Sequence, residues 1–387
     1  MKSLRKYIDK KKPLFQKGGK YAKFGSTFGA IETFLFTPNH TSKSGVHIHD
    51  AIDLKRTMSV VIIALLPALL FGCWNIGYQN GLAFGIERGL FENFLFGFLK
   101  LLPIIIVSYG VGLGIEFISA QIRGHEVNEG FLVSGILIPL ILPVNIPLWM
   151  VALATAFAVI FGKEIFGGTG YNIMNVALIA RAFLFFAYPS QMAGDHVWIY
   201  ELNSKTPVDG FSGATPLAQM AQGASDKMAS FHDMFFGLIP GSIGETSTLA
   251  ILIGAAILIF TGIGSWKIML STIIGVLAIG GLCNVLAINE YMALPPYYHL
   301  VMGGFAFGAV FMATDPVTAP HTDKGKWIYG FMIGAFIVLI RVFNPAYPEG
   351  MMLAILLMNV WAPLIDYFVV EGHIKRRLKR FKIKGNA

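Results

Sequence analysis

Leu142-Pro143-Val144-Asn145-Ile146-Pro147-Leu148 parts two apolar runs, at about residues 131–143 and 148–162. Each is shorter than the ~20 residues that a simple bilayer crossing needs. A second stretch, Leu294-Pro295-Pro296-Tyr297-Tyr298-His299-Leu300, stands in the same way before a short run at about 300–313. Short apolar segments interrupted by Pro and Gly point to broken helices around a central site in transporter-like folds. Outward from these lie seven further apolar runs, at about 58–76, 101–120, 173–188, 246–266, 268–288, 327–343 and 351–370. The fifth and ninth runs close on similar text, Arg181…Ala187-Tyr188-Pro189 and Arg341…Ala346-Tyr347-Pro348. The pattern predicts an all-α polytopic membrane protein. It has about ten transmembrane helices in two related five-helix halves, some of them short or broken.

Composition agrees. The 387 residues are 55% hydrophobic and 13% charged, against about 25% charged in a soluble domain, and the mean hydropathy is +0.63. That excludes an ordinary soluble enzyme. The net charge of +8 does not imply nucleic acid, because the basic residues flank apolar runs and crowd the chain ends, as membrane topology requires. Cys73 and Cys283 both sit in apolar runs, which speaks against a disulfide framework or a cysteine metal site. The first long apolar run begins near Met58, too late for a cleaved leader.

Ten crossings put both ends on one side. With that side cytosolic, 24 of the 30 Lys/Arg lie inside: 12 in the arm 1–57, 7 in the tail 371–387, and Arg123, Lys163, Lys267, Lys324 and Lys326. The expected organisation is a basic cytosolic arm (1–57), a first half (58–188), an extracytoplasmic loop (189–245), a second half (246–370) and a basic cytosolic tail (371–387). Within the arm, Phe24, Phe28, Ile31 and Leu35 form one apolar face of a helix over 21–36. That helix lies on the membrane surface, with Lys20 and Lys23 near lipid phosphates, or packs on the protein's own cytosolic face. His47-Ile48-His49-Asp50 lacks a third His or a Cys nearby and reads as a solvated loop.

Polar residues in so apolar a chain need a reason, since an ionisable group inside a span costs at least ~2.5–3.5 kcal/mol. Glu116, Asp315 and Asp366 fall toward the cytosolic face; three carboxylates at similar depth suit the entrance of a hard cation, or else pair with Lys/Arg and cap helices. Arg181 and Arg341 lie about seven residues inside the outer ends of their spans. A buried guanidinium invites an anion such as a phosphate, or pairs with Glu349 or helix carbonyls. In the outer loop, Asp209-Gly210-Phe211-Ser212-Gly213-Ala214-Thr215-Pro216 offers one hydroxyl on a backbone left bare by Ser212, Gly213 and Ala214, open to a bulky anionic group. On the other side, Gly167-Gly168-Thr169-Gly170-Tyr171-Asn172 is a glycine cluster before a helix, either a ligand-facing turn or a plain tight one.

Several strings together resemble one family, the B subunit of the sodium-translocating NADH:quinone oxidoreductase. They are His125-Glu126-Val127-Asn128-Glu129-Gly130, Lys163-Glu164-Ile165-Phe166-Gly167-Gly168-Thr169-Gly170, Arg181 to Pro189, Ser212-Gly213-Ala214-Thr215, Pro240 to Glu245, Phe311 to Pro316 and Asn344 to Leu353. The resemblance implies FMN held on Thr215 through a phosphoester, attached by a separate flavin transferase. It implies a non-covalent riboflavin, a quinone site near the cytosolic face, and sodium passage coupled to electron flow. It assigns cofactor binding to Ser212, Gly213, Ala214 and Arg181 beside Thr215, and to Gly168, Thr169, Asn172 and Asn175 on the inner side. Gly112 and Glu116 match the quinone region, where the family's glycine pair reads Gly112-Leu113. Glu116, Asp315 and Asp366 match acids assigned to the sodium path. The implied setting is the bacterial inner membrane, in a multi-subunit complex, with the Thr215 loop periplasmic. Two other readings stand beside this: the D subunit of the related Rnf ferredoxin:NAD complex, and a secondary transporter or channel without redox chemistry.

Overall fold

The computed structural model describes residues 2–15, 18–21, 25, 28–29, 32, 36, 44–46, 54–123, 130–202, 207–208, 211–223, 226, 228–344 and 348–385. Most of the 21–36 apolar face, the His47–Asp50 loop, the string 125–129, Asp209-Gly210 and the Pro345-Ala346-Tyr347 ending lie outside the described residues.

Among the described residues the structure is helical, without strands. Helix α1 is Lys2–Lys11, in the arm, a helix the sequence reading did not place. Then come α2 (Leu54–Phe84), α3 (Leu90–Arg123), α4 (Phe131–Leu140), α5 (Leu148–Val159) and α6 (Val176–Ala187). The short α7 (Pro216–Ala221) precedes α8 (Thr248–Phe260), α9 (Trp266–Leu286), α10 (Asp323–Phe343) and α11 (Met351–Gly385). Among the described residues, five helices are long and apolar enough to cross a membrane: Arg56–Phe84, Leu90–Arg123, Trp266–Leu286, Asp323–Phe343 and Met351–Phe381.

The two interrupted regions are broken in the same manner. α5 runs directly into a π-helical turn, Ile160–Glu164. The run at 300–313 forms a one-turn helix, Phe305–Phe307, followed by a second π turn, Gly308–Met312. Such wide turns are uncommon and cluster at functional positions.

Local chemistry sets the helix starts. Asn175, Ser247 and Thr322 each accept backbone N–H groups at the first turn of α6, α8 and α10, satisfying donors that a helix leaves open. Pro67, Pro103 and Pro363 lie inside α2, α3 and α11. Small residues allow the tightest crossing: Gly275 of α9 and Gly334 of α10 face each other's backbone, where any Cβ would collide, the close approach that membrane helices use in place of a hydrophobic drive. Large apolar side chains such as Phe91, Ile106, Phe260, Val285 and Phe343 stay on the outside, as a lipid-facing surface requires.

Two stretches carry more helix than their apolar runs alone predict. α11 does not stop near 371 but continues through the basic tail, because loss of hydrophobicity ends a lipid-compatible stretch, not a helix. Charged turns remain good helix formers, helped here by the Glu371–Lys375 pair at 2.7 Å. The 189–245 interval is not a free loop. It carries α7 and two more short helices, Pro189–Met192 and Phe231–Phe236, and is tied down on α2. Asn75 donates to the Ile239 carbonyl at 3.0 Å, Asn80 to the Tyr200 carbonyl at 2.9 Å, and the Val208 N–H to Ala83 at 2.9 Å. It therefore covers the end of the bundle where α2 finishes and α11 begins, opposite the start of α2 and the end of α11.

Candidate functional site

Thr215 occupies the N-cap of α7, where its Oγ1 accepts the Ala218 N–H at 3.3 Å. That bond uses an oxygen lone pair and leaves the hydroxyl proton outside it, so a substituent on Oγ1 is compatible with the cap. Ser212 Oγ accepts the Ala214 N–H at 3.3 Å and shapes the turn before Thr215. Gly213 lies against the Asp195 carbonyl, in space that a Cβ would occupy, and Ala214 is buried. The bare backbone expected here thus packs inward as well as leaving Thr215 accessible.

Two adjoining cavities open on Thr215. One, of about 50 Å³, is lined among others by Trp198, Ser242, Glu245 and Gly303; the other, of about 90 Å³, by Arg181, Phe185, Trp198 and Glu349. Both are large enough for water. Arg181 and Thr215 line the second cavity together, and Arg181 has other partners there. Its Nη1 donates to Glu245 Oε1 at 2.5 Å and its Nη2 to Ser242 Oγ at 3.4 Å. Burial pushes the Glu245 carboxyl up to about 7, against the pull of Arg181 and with Glu349 pushing the same way. Glu349 in turn accepts the Gly304 N–H at 2.7 Å. Sequence reasoning alone does not single out Glu245. The signal available was an acid at the edge of an apolar run, facing a buried arginine elsewhere in the chain. Arg341 does not reach this site; it donates to the carbonyls of His299 and Met302 at 2.8 Å and of Glu349 at 3.2 Å.

A third cavity, of about 80 Å³, lies toward the opposite end, between α4, the start of α6 and the Phe311–Val317 segment. Thr169, Asn172, Asn175 and Asp315 all line it, together with Gly130 and Lys163; Gly168 is next to it in the chain. Asn175 has two tasks. Its Oδ1 caps α6, and its Nδ2 donates to Asp315 Oδ2 at 3.4 Å. Asp315 also accepts from the Val317 N–H and the Thr318 hydroxyl, both at 3.1 Å. Burial pushes the Asp315 carboxyl up, and these donors oppose the shift.

The other acids sit apart. Glu116 is buried in α3 and ion-paired with Lys163 of the first π turn; its Oε2 has no hydrogen-bond partner among the described residues. One turn earlier, Gly112 lies against the Phe131 ring of α4. Asp366 of α11 accepts from the His321 N–H at 2.7 Å, the Thr322 N–H at 3.1 Å and the Thr322 hydroxyl at 2.5 Å, fastening α11 to the start of α10. Among the described residues, no cluster of three or more His, Cys, Asp or Glu is placed to hold a metal ion.

The family model described as the NQR2, RnfD, RnfE family matches residues 41–375. The chain belongs to the NQR2, RnfD, RnfE family. Within that family it is 48% identical over 406 residues to the B subunit of the Na(+)-translocating NADH-quinone reductase of Ectopseudomonas mendocina, covering 97% of this chain and 99% of that protein. The corresponding B subunits of Stutzerimonas stutzeri and Chromohalobacter salexigens are also 48% identical, covering 97% of this chain and 99% and 96% of theirs. These alignments run nearly end to end. The NQR2, RnfD, RnfE model alone spans both the NADH-quinone and the Rnf readings; the names of the relatives favour the former.

Proposed function

We propose that this chain is the membrane redox subunit of a sodium-pumping NADH:quinone oxidoreductase, carrying electrons from an FMN on Thr215 by way of riboflavin to quinone. The observation that carries the reading is the near full-length similarity to three reductase B subunits. The position of Thr215 at the mouth of two cavities beside a buried arginine supports it. A flavin supplies one- and two-electron chemistry, and the protein supplies its attachment and surroundings. Thr215 would hold the phosphate by its hydroxyl, Ser212, Gly213 and Ala214 would set the turn, and Arg181 would share its charge between that phosphate and Glu245. Attachment calls for a flavin transferase, and the complex for further subunits.

The inner cavity fits a polar ring through Thr169, Asn172 and Asn175, with Gly168 at its edge; we assign riboflavin there. Quinone is assigned beside Gly112 and Glu116. Glu116, Asp315 and Asp366 are assigned to sodium as separate stations, since each has its own partners. Ten crossings in two related halves fit the matched π turns and the matched buried Arg181 and Arg341. The basic ends, which we assign to the side opposite Thr215, would then lie in the cytosol of a bacterial inner-membrane protein, with Thr215 periplasmic.

A denaturing gel viewed under ultraviolet light tests the reading. The wild-type band is expected to fluoresce, Thr215→Ala to stay dark and Ser212→Ala to fluoresce. A dark wild-type band would leave the transporter or channel reading, and fluorescence surviving Thr215→Ala would remove the attachment site.

A further inference from the structure

Lys163 touches two things that the proposed function keeps separate. Its ammonium is ion-paired with Glu116, and its side chain also lines the inner cavity with Thr169, Asn172, Asn175 and Asp315. Lys163 and Glu116 have side-chain exposures of only 5% and 4%, so neither charge is offset by water. Glu116 has a second oxygen buried without a hydrogen-bond partner among the described residues, an open acceptor in a site already occupied by a cation. The backbone beneath Lys163 is the π turn Ile160–Glu164, whose carbonyl at 163 receives the N–H groups of Phe166 and Gly168 at 3.2 and 3.1 Å. A flexible four-carbon stem thus rises from a widened turn between a carboxylate and a cavity.

We propose that Lys163 is a tethered internal cation that holds the Glu116 site when sodium is absent and transmits the occupancy of that site to the inner cavity. The inference rests on the reading of Glu116 as a station for sodium. Its physics is charge competition. Removing Lys163 from a buried Glu116 leaves an uncompensated charge, so the ammonium leaves only when another cation arrives. Sodium is a hard ion and takes oxygen ligands, here including the open Oε2. The displaced ammonium stays on its stem and turns to the cavity side, where Asp315 and any anion bound there attract it. An electron delivered to a ring in that cavity adds one negative charge, which the freed ammonium offsets. No bond forms or breaks; one electron and one sodium ion are matched by the movement of one fixed charge. Coupling of this kind is reciprocal, so charge in the cavity and sodium at Glu116 favour each other equally.

The test uses the purified complex with its flavins bound. Flavin absorbance is followed in equilibrium redox titrations, with sodium chloride replaced stepwise by choline chloride at constant ionic strength. In the wild type, sodium is expected to raise the midpoint of one flavin. In Lys163→Met the shift is expected to vanish. The sodium concentration giving half-maximal thermal stabilisation is expected to fall on the order of tenfold, within the usual range of coupling between sites, because the competing cation is gone. Lys163→Arg keeps a cation with a stronger fork to carboxylate and is expected to raise that concentration several-fold. The double variant Glu116→Gln with Lys163→Met removes both charges together and is expected to assemble and show no shift, which controls for folding. A wild-type midpoint insensitive to sodium, or a wild-type shift retained in Lys163→Met, overturns the proposal; so does an unchanged half-saturation in Lys163→Arg. If Glu116→Gln alone keeps the full sodium response, the assignment of Glu116 fails instead.

Discussion

At the scale of single residues, the most exacting contact is Arg181 with Glu245. Both are buried, with side-chain exposures of 8% and 7%, and removing one partner of such a pair strands the other. Arg181→Met or Glu245→Gln is therefore expected to destabilise the purified protein by about 3–5 kcal/mol, while the double substitution recovers much of the loss. Denaturant unfolding in detergent measures both. Asp366 offers a different case, since its three accepted hydrogen bonds already give it a structural task. Asp366→Ala is expected to weaken sodium stimulation of quinone reduction while flavin content stays at the wild-type level; unchanged sodium dependence would reduce Asp366 to its role as a fastening between α10 and α11. The sequence disclosed that Arg181 was a buried guanidinium because charge is rare in these runs. It did not disclose the partner, because Glu245 lies 64 residues away, and no local pattern encodes so distant a pairing. The same holds for Lys163 and Glu116, 47 residues apart.

At the scale of elements, apolar runs locate helices well and helix ends poorly. All ten runs contain helix, the arrangement that satisfies every backbone N–H and C=O within one segment. Their limits were misjudged where polar residues continue a helix: α2 starts before and ends after the apolar run at 58–76, and α11 extends well past its own. The breaks were legible from Pro143, Pro147, Pro295 and Pro296, but their π geometry was not, because a wide turn leaves no composition signature. Packing between elements was legible only in part. The family resemblance points Gly112 toward quinone, and the structure gives it a neighbour as well, the Phe131 ring of α4. Gly112→Ala is expected to push α3 and α4 apart at a cost of about 1–3 kcal/mol, as overpacked cores show. The drop in thermal midpoint should be relieved by a second change, Phe131→Leu. A midpoint unaltered in Gly112→Ala would mean that the ring moves freely.

At the scale of the whole molecule, the bundle has two dissimilar ends. One is covered by the folded 189–245 interval with Thr215; the other carries the start of α2 and the end of α11. Which end faces the cell interior can be read by cysteine labelling, and the native thiols do not interfere, since Cys73 and Cys283 are both buried. In intact cells, Val208→Cys is expected to react with a membrane-impermeant maleimide, and Lys379→Cys only after permeabilisation. The reverse pattern would invert the proposed topology.

The length of α11 carries one more implication. Its 35 residues make a rod of about 52 Å at 1.5 Å per residue, against a hydrocarbon slab of ~30 Å. Asp366 stands about 22 Å below the top of that rod, and Arg376 a further 15 Å or so down. In the proposed topology the guanidinium and ammonium groups from Arg376 onward would meet lipid phosphates, a collar that the rod would not draw through the slab. The altitude of Asp366, and with it the knot it ties to His321 and Thr322, would on that topology be pinned from below by the headgroups themselves.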